Sequence, residues 1–291
     1  RLHFIVFLFG FTGILGNLIS ISAIPLVWHR MWIASAIIFL YLAFKKRLNF
    51  KLKKDFWQVL IAGILIAAHW ISFFHAIKIS TVSVALVCLS TGAFFGSLLG
   101  PIFTRSKIQL TEMFLGLAVV LGIYIIFKFE GDYTWGIITA LISAFLSALF
   151  SMMNAKLIQS YRPNHLTFYE MLVGFLAISI YMFFTGDLNW ATIGLNPSDW
   201  GYLLILGSVC TAYAFIESVA LMKHISPFTF LLAINLEPIY AILLALYLFN
   251  EAELLNPYFF LGAVIILSTV FADALIKRRI KRKQRKNQLQ A

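Results

Sequence analysis

Asn235, Glu237 and Pro238 interrupt an apolar run that extends from Phe228 to Phe249. A carboxyl group in such a run must be paired, hydrated or protonated, because an isolated charge away from water is too costly to keep. Its available chemistry is therefore the binding of a proton, a cation or the charged end of an organic molecule. Pro238 lacks a backbone N–H and crowds the preceding turn, so a helix here is expected to open and to free carbonyls beside the carboxylate. Ser90, Thr91 and Gly92 stand 146 residues earlier, with Gly92 at the position of Pro238. Glycine weakens a helix interior, so two helices share a weak point at matched places. Ser90, Thr91, Asn235 and Glu237 are candidate binding residues; Gly92 and Pro238 are candidate helix breaks. Stiffening the break should matter, so Gly92→Leu is expected to impair activity more than Gly116→Leu.

His69 and Trp70 form a second candidate pair, which an offset of 144 residues matches to Tyr213, near Tyr202 and Phe215. Aromatic faces with one polar tip suit small amphipathic ligands. A histidine bonded to a neighbouring carbonyl is the plainer account of His69, and interfacial packing that of Tyr213. Arg30, Glu170 and Glu217 sit nearer the ends of their apolar runs, as gate contacts or as side chains snorkelling to the interface. Arg30 and Glu170 are equivalent at an offset of 140 and are expected on opposite sides of the membrane. No HExxH motif, Gly-x-Ser-x-Gly elbow or phosphate loop is present. No catalytic residue, metal site or cofactor is expected, and the chain reads as a non-enzyme.

These residues are carried by ten apolar runs, each close to the roughly 20 residues that cross a hydrocarbon core. They extend over His3–Ala23, Leu26–Phe44, Phe56–Ile77, Thr81–Phe103, Glu112–Phe127, Trp135–Met153, Leu166–Phe184, Trp200–Met222, Phe228–Phe249 and Tyr258–Ile276. With 61% hydrophobic and 12% charged residues, the chain lacks the polar surface of a soluble domain. The net charge of +11 is not spread as a nucleic-acid footprint. It concentrates at Lys45–Arg47, at Lys51, Lys53 and Lys54, and in Lys277–Lys286, which is eight-tenths Lys or Arg. Counting along ten spans puts every such cluster on one side, which the preference of cationic loops for the cytoplasm makes the inside. Both termini are then cytoplasmic, in a cell (plasma or inner) membrane, with the basic tail against anionic lipid headgroups. No nucleic-acid partner is expected. Cys88 and Cys210, both within spans, read as small packing residues.

Met113–Gly116 against Phe259–Gly262, Ile79-Ser80 against Ile225-Ser226 and Leu98 against Leu244 all share the 146 offset. The chain thus divides into a first repeat at 1–131, a second at 132–277 and a basic tail at 278–291. Five spans per repeat is odd, so two copies must lie upside down relative to each other. The expected fold is an all-α integral membrane protein of ten transmembrane helices in two inverted five-helix repeats. Inverted repeats with interrupted central helices are the architecture of secondary transporters, whose substrate binds at the midplane. A cavity lined by spans 3, 4, 8 and 9 is expected, for a small-molecule metabolite. The alternative is a channel or uncoupled facilitator, with an intramembrane enzyme the more remote one.

Asn235-Leu236-Glu237-Pro238-Ile239-Tyr240, followed by Leu248-Phe249-Asn250-Glu251 and Phe260-Leu261-Gly262-Ala263, resembles the end of the repeat in the EamA family of the drug/metabolite transporter superfamily. The first copy departs from it, with Gly92 for proline and Thr104-Arg105-Ser106 where a helix-end glutamate would stand, so Glu251 reads as a helix terminator. The resemblance implies a ten-helix exporter of small metabolites working by alternating access, either proton-driven or facilitative. From the residues themselves, Glu237 or His69 is the candidate proton acceptor.

Overall fold

The computed structural model describes residues 2–48, 53–104, 110–129, 133–225, 227–234, 236–248 and 257–290. Among these no strand occurs. The first half contains α1 (Leu2–Leu18), α2 (Ala23–Phe44), α3 (Phe56–Ile79), α4 (Val82–Leu89), α5 (Gly92–Thr104) and α6 (Leu110–Phe129). The second contains α7 (Thr134–Leu157), α8 (Pro163–Thr185), the short α9 (Trp190–Ile193), α10 (Pro197–Gly207), a π-helical turn (Ser208–Tyr213), α11 (Ala214–Leu221), α12 (Pro227–Ile234), α13 (Glu237–Leu248) and α14 (Pro257–Gln290).

Local signals account for several boundaries. The Thr81 hydroxyl accepts from Val84 N–H at 3.0 Å and caps α4. Pro163 and Pro197 open α8 and α10, where no intrahelical N–H is needed. Gly186, at φ 78°, ends α8 in the left-handed conformation that glycine adopts without strain. The expected fourth, eighth and ninth spans are each interrupted, at Ser90–Thr91, at the π-turn and just before Glu237. α14 runs on through the basic stretch from residue 278 to Gln290.

Among the described residues, six helical stretches are long and apolar enough to cross a membrane: Ala23–Phe44, Phe56–Ile79, Val82–Phe103, Thr134–Leu157, Pro163–Thr185 and Pro197–Leu221. Leu2–Leu18 and Phe260–Thr269 are shorter apolar helical stretches. Large apolar side chains such as Leu40, Phe44, Ile64, Phe114, Ile180 and Phe183 stand exposed on the outside of the bundle. Such a surface is stable against lipid, where helices satisfy their own backbone groups.

The packing comes in matched sets. α2 lies against α8, and α6 against α14; α3 packs on α7 and α8, while α1 and α2 pack on α10 and the π-turn. Two glycines mark matched close crossings. A Cβ on Gly63 would stand 2.8 Å from the Glu170 carbonyl oxygen and 2.9 Å from Val173. A Cβ on Gly207 would stand 2.6 Å from Ile33 and 3.5 Å from the Arg30 carbonyl oxygen. At the offsets read from the sequence, Gly63 corresponds to Gly207, and Arg30 and Ile33 to Glu170 and Val173. One contact is therefore made twice, with the halves exchanged.

At the far end of these helices Asp199 is buried and ties α10 to the α1–α2 turn. Ser20 donates to it through its N–H at 2.9 Å and its hydroxyl at 2.5 Å. Lys78 donates to the Ile19 carbonyl beside them.

For stability, as distinct from activity, the room around Gly92 and Gly116 ranks them in the opposite order. A Cβ on Gly116 would stand 2.1 Å from the Phe94 ring, whereas one on Gly92 meets nothing nearer than the Ala144 carbonyl oxygen at 3.7 Å. Gly116→Ala should lower stability by about 1–3 kcal/mol through overpacking, and Gly92→Ala by less than about 0.5 kcal/mol. Thermal unfolding of the detergent-purified variants checks this; equal midpoints would mean that Phe94 yields freely.

Candidate functional site

The interrupted helices and their neighbours surround a cavity of about 590 Å³, mouth included. Its polar groups are Thr12, Arg30, His69, Ser147, Ser151, Ser218 and Glu237, and its apolar wall includes Phe9, Trp70, Phe73, Phe150, Phe215 and Phe230. Both halves of the chain contribute.

Glu237 is the first residue of α13 and is buried. Pro238 follows it within the first helical turn, so the missing N–H costs no intrahelical bond and the break falls on the preceding residues. The partial positive charge of a helix N-terminus also favours a carboxylate there. α1 approaches closely: a Cβ on Gly10 would lie 3.3 Å from the Glu237 carbonyl oxygen.

Arg30 lines the same cavity as Glu237. It is only 1% exposed, so it does not snorkel toward the outer surface as expected. Its guanidinium carbon lies 3.8 Å from the centre of the Trp70 ring, a desolvated cation–π contact of about 2 kcal/mol. Its Nε donates to the Thr211 hydroxyl at 2.6 Å. The π-turn prepares that acceptor. Widening the helix lets the Thr211 hydroxyl donate to the Leu206 carbonyl five residues back, at 2.6 Å, leaving its lone pairs for Arg30. Nη1 of Arg30 has no hydrogen-bond partner.

His69 is held by Ser143 of α7. Its Nδ1 lies 2.9 Å from the Ser143 carbonyl oxygen and 2.8 Å from the hydroxyl, and that hydroxyl donates to the His69 carbonyl at 2.9 Å. The set is consistent when Nδ1 carries the proton and Nε2 is the acceptor. The imidazole packs against Phe73 and Phe150.

The other sequence candidates fall differently. Ser90 and Thr91 are buried but donate to the Leu86 and Cys88 carbonyls of their own turn, and their neighbour Leu89 lines the cavity instead. Tyr213 is 48% exposed, edge-on to Phe4 and outside the cavity lining, and Phe215 stands against Trp70. Asn235 lies outside the described residues. Glu217 is half-buried beside the cavity-lining Ser218, without reaching the cavity itself. Glu170 is fully buried rather than interfacial, and it lies away from the cavity wall. The expected set of spans was too small, since spans 1, 2 and 6 also contribute, through Phe9 and Thr12, Arg30, and Ser147, Phe150 and Ser151. Serines recurring every four residues at 143, 147 and 151 were a visible signal for span 6.

Chemically, a guanidinium and a carboxylate facing one aromatic-walled space can hold a small molecule by its charged end or ends and by an apolar body. Among the described residues no group of three or more His, Cys, Asp and Glu could hold a metal ion. Cys88 and Cys210 are buried free thiols.

Known proteins resemble the chain in both sequence and fold. Two proteins of Archaeoglobus fulgidus, each named an uncharacterized transporter, are 24% identical to it. One aligns over 206 residues, 68% of this chain and 68% of its own, and the other over 208 residues, 71% and 73%. A solved crystal structure matches with a TM-score of 0.71 over 95% of this chain and 97% of its own, at 14% identity, and so shares the fold. The EamA-like transporter family matches residues 3–128 and again residues 134–272. With both halves matched and several apolar helices able to cross a bilayer, the chain is a multi-pass membrane protein and belongs to the EamA-like transporter family of the drug/metabolite transporter superfamily.

Proposed function

We propose that this membrane transporter is a secondary carrier that moves a small amphipathic metabolite, net outward, through the Arg30–Glu237 cavity. The reading rests on that cavity, where two buried opposite charges share one aromatic-walled space supplied by both halves of the chain. A metabolite with an anionic group and an apolar body complements it. An ammonium or other donor on the same molecule would satisfy Glu237.

Ten spans in two inverted repeats, at 1–131 and 132–277, complete the reading. The contact exchanged between Gly63–Glu170 and Gly207–Arg30 supports it, as does the twofold family match. Rocking of one repeat against the other would expose the cavity to each side in turn. Both termini face the cytoplasm of a plasma or inner membrane, with the basic end of α14 near anionic headgroups and no nucleic-acid partner. Glu237 or His69 accepts a coupling proton in the simplest version. A channel fits less well, because the polar groups gather in one cavity rather than in rings along a pore.

Untargeted comparison of intracellular and extracellular metabolites tests the carrier. Cells expressing the wild type should deplete one class of metabolite internally and enrich it outside, and cells expressing Glu237→Gln should not. No difference between expressing and non-expressing cells over a broad metabolite panel would sink the reading.

A further inference from the structure

We propose that Glu170 is a second, proton-binding site, joined to the cavity by a line of polar side chains on α7. Glu170 is completely buried, and neither carboxyl oxygen has a hydrogen-bond partner at normal distance. The polar group facing it is the Asn154 amide of α7, itself fully buried with both amide atoms unpartnered. Thr167, three residues before Glu170 and on the same face of α8, and Ser151, three residues before Asn154, are also buried with unpartnered hydroxyls. Four orphaned polar groups on two neighbouring helices are unusual, since buried polar atoms nearly always find partners.

The ionisable groups on elements packed against α8 are His29, Arg30 and Tyr41 on α2, His69, His75 and Lys78 on α3 and Glu217 on α11, with His165, Tyr169 and Tyr181 on α8 itself and Lys156 on α7. Among the described residues none of them makes a hydrogen bond to Glu170: Arg30 bonds Thr211 and lines the cavity, His69 bonds Ser143, Lys78 bonds the Ile19 carbonyl and His165 the Arg47 carbonyl. A carboxylate sealed in without a cation costs several kcal/mol, whereas a protonated carboxyl needs a single acceptor. The Asn154 amide, turned so that its oxygen meets the acid, is that acceptor in the proposed protonated form.

Sequence symmetry explains why the site is unpaired. Arg30 and Glu170 are repeat equivalents, yet Arg30 has the Thr211 hydroxyl, and the position matching Thr211 is Ala67. The crossing that leaves Arg30 bonded leaves Glu170 bare.

The path lies on α7. Ser143, Ser147, Ser151 and Asn154 are spaced four, four and three residues apart and so share one face. Ser143 holds His69, Ser147 and Ser151 line the cavity, and Asn154 faces Glu170. Successive groups are about 4.5–6 Å apart along the axis, a gap that one water molecule bridges. A proton from the cavity adds to a Glu170 carboxylate oxygen and gives the neutral acid, whose O–H donates to Asn154; release is the reverse. Assigning this proton as the coupling ion rests on the carrier reading, but the binding of the proton does not.

Infrared spectra of the detergent-purified chain in H₂O and D₂O at neutral pH test the site. Wild type should show the carbonyl band of a protonated carboxylic acid, shifted in D₂O. That band should vanish in Glu170→Gln and persist in Glu237→Gln. Asn154→Leu should change its frequency by removing the hydrogen bond, which also decides the matter if Glu170→Gln does not fold. A band equal in wild type and Glu170→Gln, or unmoved in Asn154→Leu, overturns the proposal, as does loss of the wild-type band on adding sodium at constant pH. Loss of the band in Glu170→Gln alongside an unaltered metabolite profile in cells would keep the proton site and remove the carrier reading.

Discussion

Glu237→Gln lowers transport of the cargo by about thirtyfold or more, while the chain remains folded in the membrane. The substitution keeps the shape of the side chain but removes the only carboxylate that shares the cavity with Arg30 among the described residues. Removing one member of a desolvated charge pair costs about 2–5 kcal/mol in binding, and about 2 kcal/mol corresponds to that thirtyfold change. Part of the cost is the unpaired partner: Arg30 stays buried, over Trp70 and against Thr211, with nothing to balance its charge. Flux of the metabolite singled out by the cellular comparison, followed at several pH values, measures the effect. Wild-type flux at every pH would take Glu237 out of the mechanism.

Arg30→Leu has the largest expected effect on stability, about 3–5 kcal/mol, because it leaves the Glu237 carboxylate buried without a cation. Adding Glu237→Leu to it should recover much of that loss, since an apolar pair of similar size has no charge to desolvate, yet the double variant should not transport. Thr211→Val separates charge from orientation: the guanidinium stays but loses the acceptor of its Nε, at a cost of about 1–3 kcal/mol. Unfolding of the purified variants in detergent gives these numbers. Additive losses in the double variant would show that Arg30 and Glu237 do not sense each other.

The two residues illustrate how far the sequence could be read. Glu237 announces itself, because a carboxylate beside a proline in an apolar run has no ordinary packing role. Weak points were read at Gly92 and Pro238, and the helices break within three residues of them, at Ser90–Thr91 and just before Glu237; the correspondence of Gly63 with Gly207 followed from the offset. The sequence places Arg30 near the outer interface, since position along a span gives depth but not direction. Tyr213 was chosen over Phe215 for the same reason, compounded by a π-turn that shifts which side chains of the eighth span face inward.

In a soluble helix the apolar face points to the core and the polar face to water, so periodicity tells inside from outside. Here lipid and protein interior are equally apolar, and that signal is absent along most of each span. What the residues determined unaided is therefore one-dimensional: helical apolar segments, their internal repetition, the weak points within them and membership of a membrane class. Which faces turn inward was decided by packing, through glycine crossings that bring backbones together and through hydrogen bonds such as Arg30 to Thr211 and His69 to Ser143. Those contacts join residues from distant parts of the chain, and only the assembled bundle brings them within reach.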